Sequence, residues 1–521
     1  MKKVVTLILA LALCAGLSAP VCAAGATPLT GSNVHMRAYS FYSARPIASY
    51  LFANDKGGLT RVEGLTVEEY NSSFQLLNTR KIPQELTIYG GFYAGSQYNF
   101  FIFGQSNDSE SPTVEVIRVV KYSKDWKRLG QASLYDIDTT VPFRAGSLRC
   151  TESNGFLYIH TCHQKYTYAD GKRHQSNLTA AVEEETMKCQ LTNFFYVSHS
   201  FDQYILADRQ GNLITADLGD AYPYRAINLH RLPAGITKVP EYNALTPELT
   251  EIYNVGYKQI SIHDIPGTKG QNSTGIVLGG LAETTSGYWV AYTNRAANQA
   301  GQNYFIYVDK STMTPREIPL TAQPGASAPA VVSTGPNGGY VMWNGRSCDY
   351  PDSTLYYAAY SDGGTVGPVQ TAKAYLSPCQ PIIFNGKVVW YVTNGSVPVF
   401  YTLDASGLKA FPASAAPGAS VIAGPGAASV PKPNTPPSTK TMFDGDYGLD
   451  ESDFSGGSKN AGTAPVQPAF DSSYPAWSAN KTCDFCGGTT GPWTLSSDRS
   501  KHVCNGCYQA NPSAVNAYIA G

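Results

Sequence analysis

The chain has 521 residues, with 38 basic and 39 acidic side chains and a formal net charge of −1. Only 15% of residues are charged, and 43% are apolar. The charge balance argues against a nucleic-acid binder, which needs a basic excess to neutralise phosphates. The apolar fraction argues against a wholly disordered chain. Tyrosine, at 35, outnumbers phenylalanine (20) and tryptophan (6) together, and 49 Gly and 33 Pro make the chain rich in turns.

The N-terminus reads as a signal peptide over residues 1–24. Lys2 and Lys3 precede an apolar run from Val4 to Leu17, and small residues follow to Ala23 and Ala24, after either of which cleavage is expected. The run is short for a membrane span, which needs about 20 apolar residues. The mature protein is therefore expected outside the cytoplasm, secreted or at the cell surface, without a membrane span.

From residue 33 to 408 one strand-like phrase recurs, with apolar and aromatic residues following a Gly or polar turn. Anchored on Tyr50, Phe101, Phe156, Tyr204, Tyr288, Tyr340 and Val388, its steps are 51, 55, 48, 84, 52 and 48 residues. The long step holds Pro233 to Thr274, read as an insertion between two units. Two units align closely: Val67 to Tyr70, Phe74 and Leu77 match Val119 to Tyr122, Trp126 and Leu129 at an offset of 52. Helical periodicity is weak, the clearest stretch being Glu183 to Lys188. A repeat of about 50 residues made of short strands predicts an all-β fold, a β-propeller of seven blades, with six blades or two β-sandwiches as alternatives. Val34 to Tyr42 is expected to complete the last blade and clasp the ring.

From 411 to 480 Pro, Ala, Gly and Ser dominate, and the tract reads as a linker. The acidic island Asp444, Asp446, Asp450, Glu451 and Asp453 lacks the glycine of a calcium loop, since Leu449 stands at the sixth position. It reads as a solvated charge cluster or a docking motif.

The last segment, 481–521, carries Cys483, Cys486, Cys504 and Cys507 in the spacing C-x2-C-x17-C-x2-C. Two such knuckles present four thiolates to one tetrahedral ion, so a structural zinc site is expected, with a pair of disulfides as the alternative. Cys483 to Trp493 and Val503 to Tyr508 resemble a GATA-type zinc finger. That resemblance implies the four zinc ligands and a small zinc-finger fold. His502, beside Cys504, is an alternative ligand by position, and a surface histidine is the favoured reading. In that family basic residues next to the Pro-Leu-Trp segment help shape the DNA-contacting surface. Here Thr494 to Ser497 replace them and Tyr508 to Gly521 carry no Lys or Arg, so nucleic acid is not implied as a partner.

Five cysteines lie in the body: Cys150, Cys162, Cys189, Cys348 and Cys379. A Cys348–Cys379 disulfide and one within the other three are expected, with connectivity open. His160, His163 and His174, near Cys162, form a candidate metal or acid–base cluster, against a plain polar loop from Gln164 to Asn177. Asp202 with His199 is a second candidate, against a structural turn. No nucleophile elbow, HExxH helix or phosphate loop occurs, and catalytic residues stay unknown.

The chain as a whole resembles secreted bacterial β-propeller proteins. The expected function is non-catalytic binding or scaffolding, with a Tyr-rich propeller face recognising an extracellular protein or glycan. The competing reading is a glycoside hydrolase or lyase with carboxylates near the propeller axis.

Overall fold

The structure, a computed structural model, describes residues 47–143, 148–192, 195–233, 258–270, 274–294, 302–322, 328–344, 354–394, 397–422 and 424, with two short strands at 493–495 and 502–504. The chain divides into two units, residues 1–444 and 445–521.

The first unit contains seven antiparallel sheets, each a meander of consecutive strands. They occupy residues 49–81, 88–134, 141–192, 200–264, 276–322, 330–373 and 382–412, and form blades 1 to 7. The strands of each meander are called a to d in chain order, a fifth short strand in blades 3 and 6 aside. Strands a of successive blades lie side by side around the axis, and that of blade 7, Ile382–Phe384, lies beside that of blade 1, Ser49–Ala53.

The hydrophobic core explains why the ring closes. A single meander leaves two faces to cover, and each face here is covered by the next blade. Seven apolar clusters result, one at each seam between neighbours. Val62 and Val67 of blade 1 meet Phe101 and Phe103 of blade 2, and Phe400 and Tyr391 of blade 7 meet Leu59 and Tyr70 of blade 1. Trp289, Trp343 and Trp390, on strands b of blades 5, 6 and 7, are fully buried. Packing is tight enough to dictate residue type at the second seam: a Cβ on Gly90 would stand 2.6 Å from the Phe143 ring.

All seven anchors fall one per blade, so the expected blade number holds. Three boundaries differ. The long step is not an insertion between units, because Lys258–Asp264 pairs with Ala226–Leu232 as strand d of blade 4; the extra residues lie inside that blade, between strands c and d. Blade 7 draws all four strands from residues 382–412, so Val34 to Tyr42, which lie outside the described residues, are not needed to complete it. Among the described residues the ring is joined from the other end. Ser414–Val421 leaves blade 7 and adds in parallel to Gln75–Lys81, the outer strand of blade 1. The β-structure thus runs beyond residue 411, where the linker was expected to begin. The Glu183 to Lys188 stretch is a strand end and tight turn, with Met187 at φ 56°, and no helix.

In the second unit, Trp493–Leu495 pairs antiparallel with His502–Cys504, with Trp493 opposite Cys504. Cys483, Cys486 and Cys507 lie outside the described residues. No helix among the described residues is long and apolar enough to cross a membrane.

Candidate functional site

Antiparallel meanders sort the connections onto two faces. The a–b and c–d turns lie on one; the b–c loops and the links between blades lie on the other. The loop-bearing face of blades 2 to 4 carries the exposed aromatic residues of the chain's middle: Tyr135 (48% exposed), Tyr168 (43%), Tyr222 (38%) and Tyr224 (44%). Tyr135 lies in the link from blade 2 to 3, Tyr168 in the b–c turn of blade 3, and Tyr222 and Tyr224 in the b–c loop of blade 4.

Blade 3 builds the centre of this face. Its strands Phe156–Thr167 and Arg173–Glu183 run on past the sheet as a long hairpin closed at Ala169-Asp170-Gly171-Lys172, an Asp-Gly turn with Gly171 at φ 77°. The polar loop expected from Gln164 to Asn177 is therefore mostly paired strand. The hairpin is braced by the b–c loop of blade 2. Glu110 accepts hydrogen bonds from the Thr167 hydroxyl at 2.6 Å and from Arg173 Nε at 3.0 Å. The Thr167 hydroxyl, its amide and the Arg173 guanidinium together hold the Glu110 carboxyl below the usual range. Asn107 Nδ2 donates to the Tyr166 hydroxyl at 3.1 Å.

On this support the rings form a row. The Lys165 ammonium lies 4.7 Å from the Tyr168 ring centroid and 5.6 Å from that of Tyr196. Tyr196 and Tyr222 stand 6.1 Å apart, centroid to centroid. Asp138 fixes the near end, accepting from the Tyr168 hydroxyl at 3.0 Å and pairing with Lys165 at 2.9 Å. Burial by itself would lower the Lys165 pKa, but the hydrogen bonds it donates to Tyr168 and Asp138 raise it, so the ammonium stays charged. The backbone of Tyr222 exchanges hydrogen bonds with Ser198, through Ser198 N–H to Tyr222 O at 2.8 Å and Tyr222 N–H to Ser198 Oγ at 3.0 Å.

The histidine cluster expected from sequence is not assembled. His160 is fully buried, with Nδ1 bonded to Thr179 at 2.7 Å and Nε2 to Asp217 at 3.0 Å. His163 is also fully buried, held by Thr139 and Ser176, and burial pushes its pKa down to about 3. His174 is on the surface against Asp170 at 2.9 Å. Two of the three are core histidines satisfied by neighbours, and no group of three metal-ligating side chains occurs among the described residues. Asp202 is buried at a bulge in strand a of blade 4, Ser200–Ala207, and accepts from the Gln203 amide at 2.9 Å; it is not at a turn.

The cysteines also differ from expectation. Cys379 is a buried free thiol, so the Cys348–Cys379 disulfide is not formed; Cys348 lies outside the described residues. Burial raises the thiol pKa of Cys379 and of Cys150, which is likewise free, and both are poor nucleophiles.

One pair of carboxyls was missed in the sequence. Glu152, on strand a of blade 3, and Glu184, in the c–d turn, lie together on the turn-bearing face. Glu152 Oε2 accepts from the Ser96 amide at 2.7 Å, while its Oε1 is buried without a donor. Burial, then the Glu152 charge and a hydrogen bond to it, push Glu184 up to about 7. Glu283, near the axis on strand a of blade 5, is bound by Lys310 and by the Arg209 amide.

No protein-family model matches the chain, and no characterised protein matches it in sequence. Among solved structures it is similar to U3-55K, at 10% identity and a TM-score of 0.35, over 67% of this chain and 89% of that one. It is also similar to the Cellvibrio cellulosa alpha-L-arabinanase complexed with arabinohexaose, at 9% identity and a TM-score of 0.31, over 63% and 96%. The RRP9 WD40 repeats match at 10% identity and a TM-score of 0.34, over 67% and 88%. The assignment of a seven-bladed β-propeller rests on the seven sheets and the seven seams between them.

Proposed function

We propose that the chain is a secreted, non-catalytic binding or scaffold protein that recognises an extracellular protein or glycan through the loop-bearing face of blades 2 to 4. A structural zinc module accompanies the propeller at the end of a Pro-rich tether. The observation that carries the reading is the four exposed tyrosines of this face, two of which, Tyr168 and Tyr222, flank the half-buried Tyr196 in a row beside the paired hairpin. Tyrosine offers apolar area and a hydroxyl with few rotatable bonds, so it contributes to binding at low entropic cost. Exposing four such rings within three adjacent blades has no benefit for folding.

The test is a triple variant, Tyr168→Ala, Tyr222→Ala and Tyr224→Ala, in the full chain. Immobilised wild type and variant are challenged with extracellular protein and cell-surface glycan fractions. Selective retention by the wild type, lost in the variant at unchanged melting temperature, is expected. Equal retention by both would remove this face from the function.

A further inference from the structure

The chemistry of the row narrows its ligand. A pyranose unit has C–H-rich faces that settle on flat aromatic rings and a rim of hydroxyls that need both donors and acceptors. A protein-binding core ordinarily adds Leu, Met or Phe to its tyrosines and is depleted of charge. Among the described residues, the exposed large apolar residues between 135 and 224 are all tyrosines; the exposed aliphatic ones, Leu129, Val369, Val397, Val421 and Ile422, lie outside that stretch.

Charge separates the glycan classes further. Lys165 is paired with Asp138, and Arg173 with Glu110 and Asp108. The exposed Asp108 and Asp170 add negative charge. Among the described residues the exposed Lys172 is the one further cation of this hairpin, so an anionic saccharide would meet four carboxylates, those of Asp108, Glu110, Asp138 and Asp170, against three cations. Neutral hydroxyls, by contrast, find acceptors in Asp138 and Glu110 and donors in Lys165 and Arg173.

The rings are also positioned before any ligand arrives. Tyr168 is held at its hydroxyl by Asp138 and meets His174 edge-on at 5.5 Å. Lys165 fills the gap between Tyr168 and Tyr196. Fixed rings lose little freedom on binding, which favours a weak-contact ligand such as a sugar chain.

We propose that the row Tyr168, Lys165, Tyr196 and Tyr222 is a subsite for a neutral oligosaccharide, with successive sugar rings stacking along it. This rests on the reading of the same face as a binding surface.

The experiment is calorimetric titration of the full chain with cellohexaose, xylohexaose and maltohexaose, with trigalacturonate as the anionic comparison. At least one neutral hexasaccharide is expected to bind and trigalacturonate to bind more weakly. Tyr168→Ala and Tyr222→Ala are each expected to weaken binding on the order of tenfold, which corresponds to about 1.4 kcal/mol per aromatic contact. Tyr168→Phe, which keeps the ring, is expected to retain most of the affinity, and all variants to melt as the wild type does. No binding of any neutral hexasaccharide at millimolar concentration overturns the proposal, as does binding insensitive to both alanine variants or stronger for trigalacturonate. If the triple variant loses a captured protein while the sugars fail, the glycan assignment falls and the binding face stands. If both experiments fail, the face itself falls.

Discussion

Tyr391 of blade 7 donates its phenol hydrogen to Glu63 of blade 1 at 2.7 Å, joining residues 328 positions apart across the seam where the ring closes. Glu63 also accepts from the Ser49 hydroxyl at 2.8 Å and pairs with Arg61 at 3.3 Å. Arg61 in turn lies 4.9 Å over the Tyr391 ring and binds Glu68 at 2.6 Å. The seam is thus an apolar cluster with a polar network at its edge, and removing one member exposes what that network contributes. Tyr391→Phe keeps the packing and deletes one hydrogen bond to a carboxylate. Such a bond contributes about 1.5–3 kcal/mol when fully buried. Because the Glu63 side chain is 21% exposed, water replaces part of it, and a loss of about 1 kcal/mol in urea unfolding is expected. A variant with the wild-type midpoint would show that the apolar cluster alone closes the ring.

Much of this architecture is legible in the sequence because blades repeat the same local solution. The 52-residue offset between Tyr70/Phe74 and Tyr122/Trp126 corresponds to two c strands ending in the same turn, with Phe74 and Trp126 at φ 61° and 71° and both buried. Met187 and Met313 repeat the device in blades 3 and 5, but with a different side chain, which hides the match. The period fails at the 84-residue step for two reasons. The anchor shifts from strand a at Tyr204 to strand b at Tyr288, and blade 4 has a long c–d connection. The candidate face was not legible at residue level, because its tyrosines come from three blades whose loops meet only in the ring. The histidines misled for the same reason: three positions apart on one strand, His160 and His163 point to opposite faces of blade 3, both of which are covered, and their partners are supplied by strands and links far off in sequence.

The buried Asp217 predicts an acid limit to stability. It lies in strand b of blade 4, Leu213–Gly219, and accepts from His160 at 3.0 Å and from Asn177 Nδ2 at 2.9 Å, so it links blades 3 and 4. Burial by itself would raise its pKa, but the charge and hydrogen bond of His160, followed by those of His230, hold it well below the ordinary 3.8. A depressed folded pKa stabilises the fold above the unfolded value, and that contribution is lost as pH falls through the folded one. Asp217→Asn keeps one acceptor oxygen but removes the negative charge that faces His160 and His230, and is expected to cost about 3–5 kcal/mol at neutral pH, as for a broken buried pair. It is also expected to flatten the acid end of the stability profile. A loss below about 1 kcal/mol would mean that the network rearranges around the amide.

Glu184 predicts the opposite slope in a different window. Its folded pKa of about 7 exceeds the ordinary 4.5, so between those values the folded chain holds a proton that the unfolded chain has released. This contribution is complete below about pH 4.5 and lost as pH rises through about 7. Tyr93, Glu152 and Lys121 surround the carboxyl, and Lys121 Nζ is already engaged by the Glu184 carbonyl at 2.7 Å. Above neutrality two carboxylates therefore face each other with little relief. Glu184→Gln offers an N–H to Glu152 and cannot ionise. It is expected to raise the melting temperature by a few degrees at about pH 8 and to change it little at about pH 5. Equal effects at both pH values would show that the pair is not the titrating unit.

The proposed zinc module predicts a metal content that is independent of the propeller. Trp493–Leu495 lies in sequence between the two cysteine pairs, and the strand it pairs with, His502–Cys504, ends on the first cysteine of the second pair. A module this small has too little core to fold without a staple, and four thiolates on one zinc supply about 10–16 kcal/mol. The full chain purified under reducing conditions is expected to carry one zinc, and a chain ending at residue 444 none. Cys486→Ser is expected to lose the metal. In the wild type, alkylation of Cys483, Cys486, Cys504 and Cys507 should be slow until a chelator is added, because a coordinated thiolate is a poor nucleophile. A closed four-thiolate site leaves no position for a substrate water, so chelation should leave ligand binding by the propeller unchanged. Fast alkylation before chelation, or a mass deficit of four hydrogens showing two disulfides, would replace the zinc site by a covalent framework.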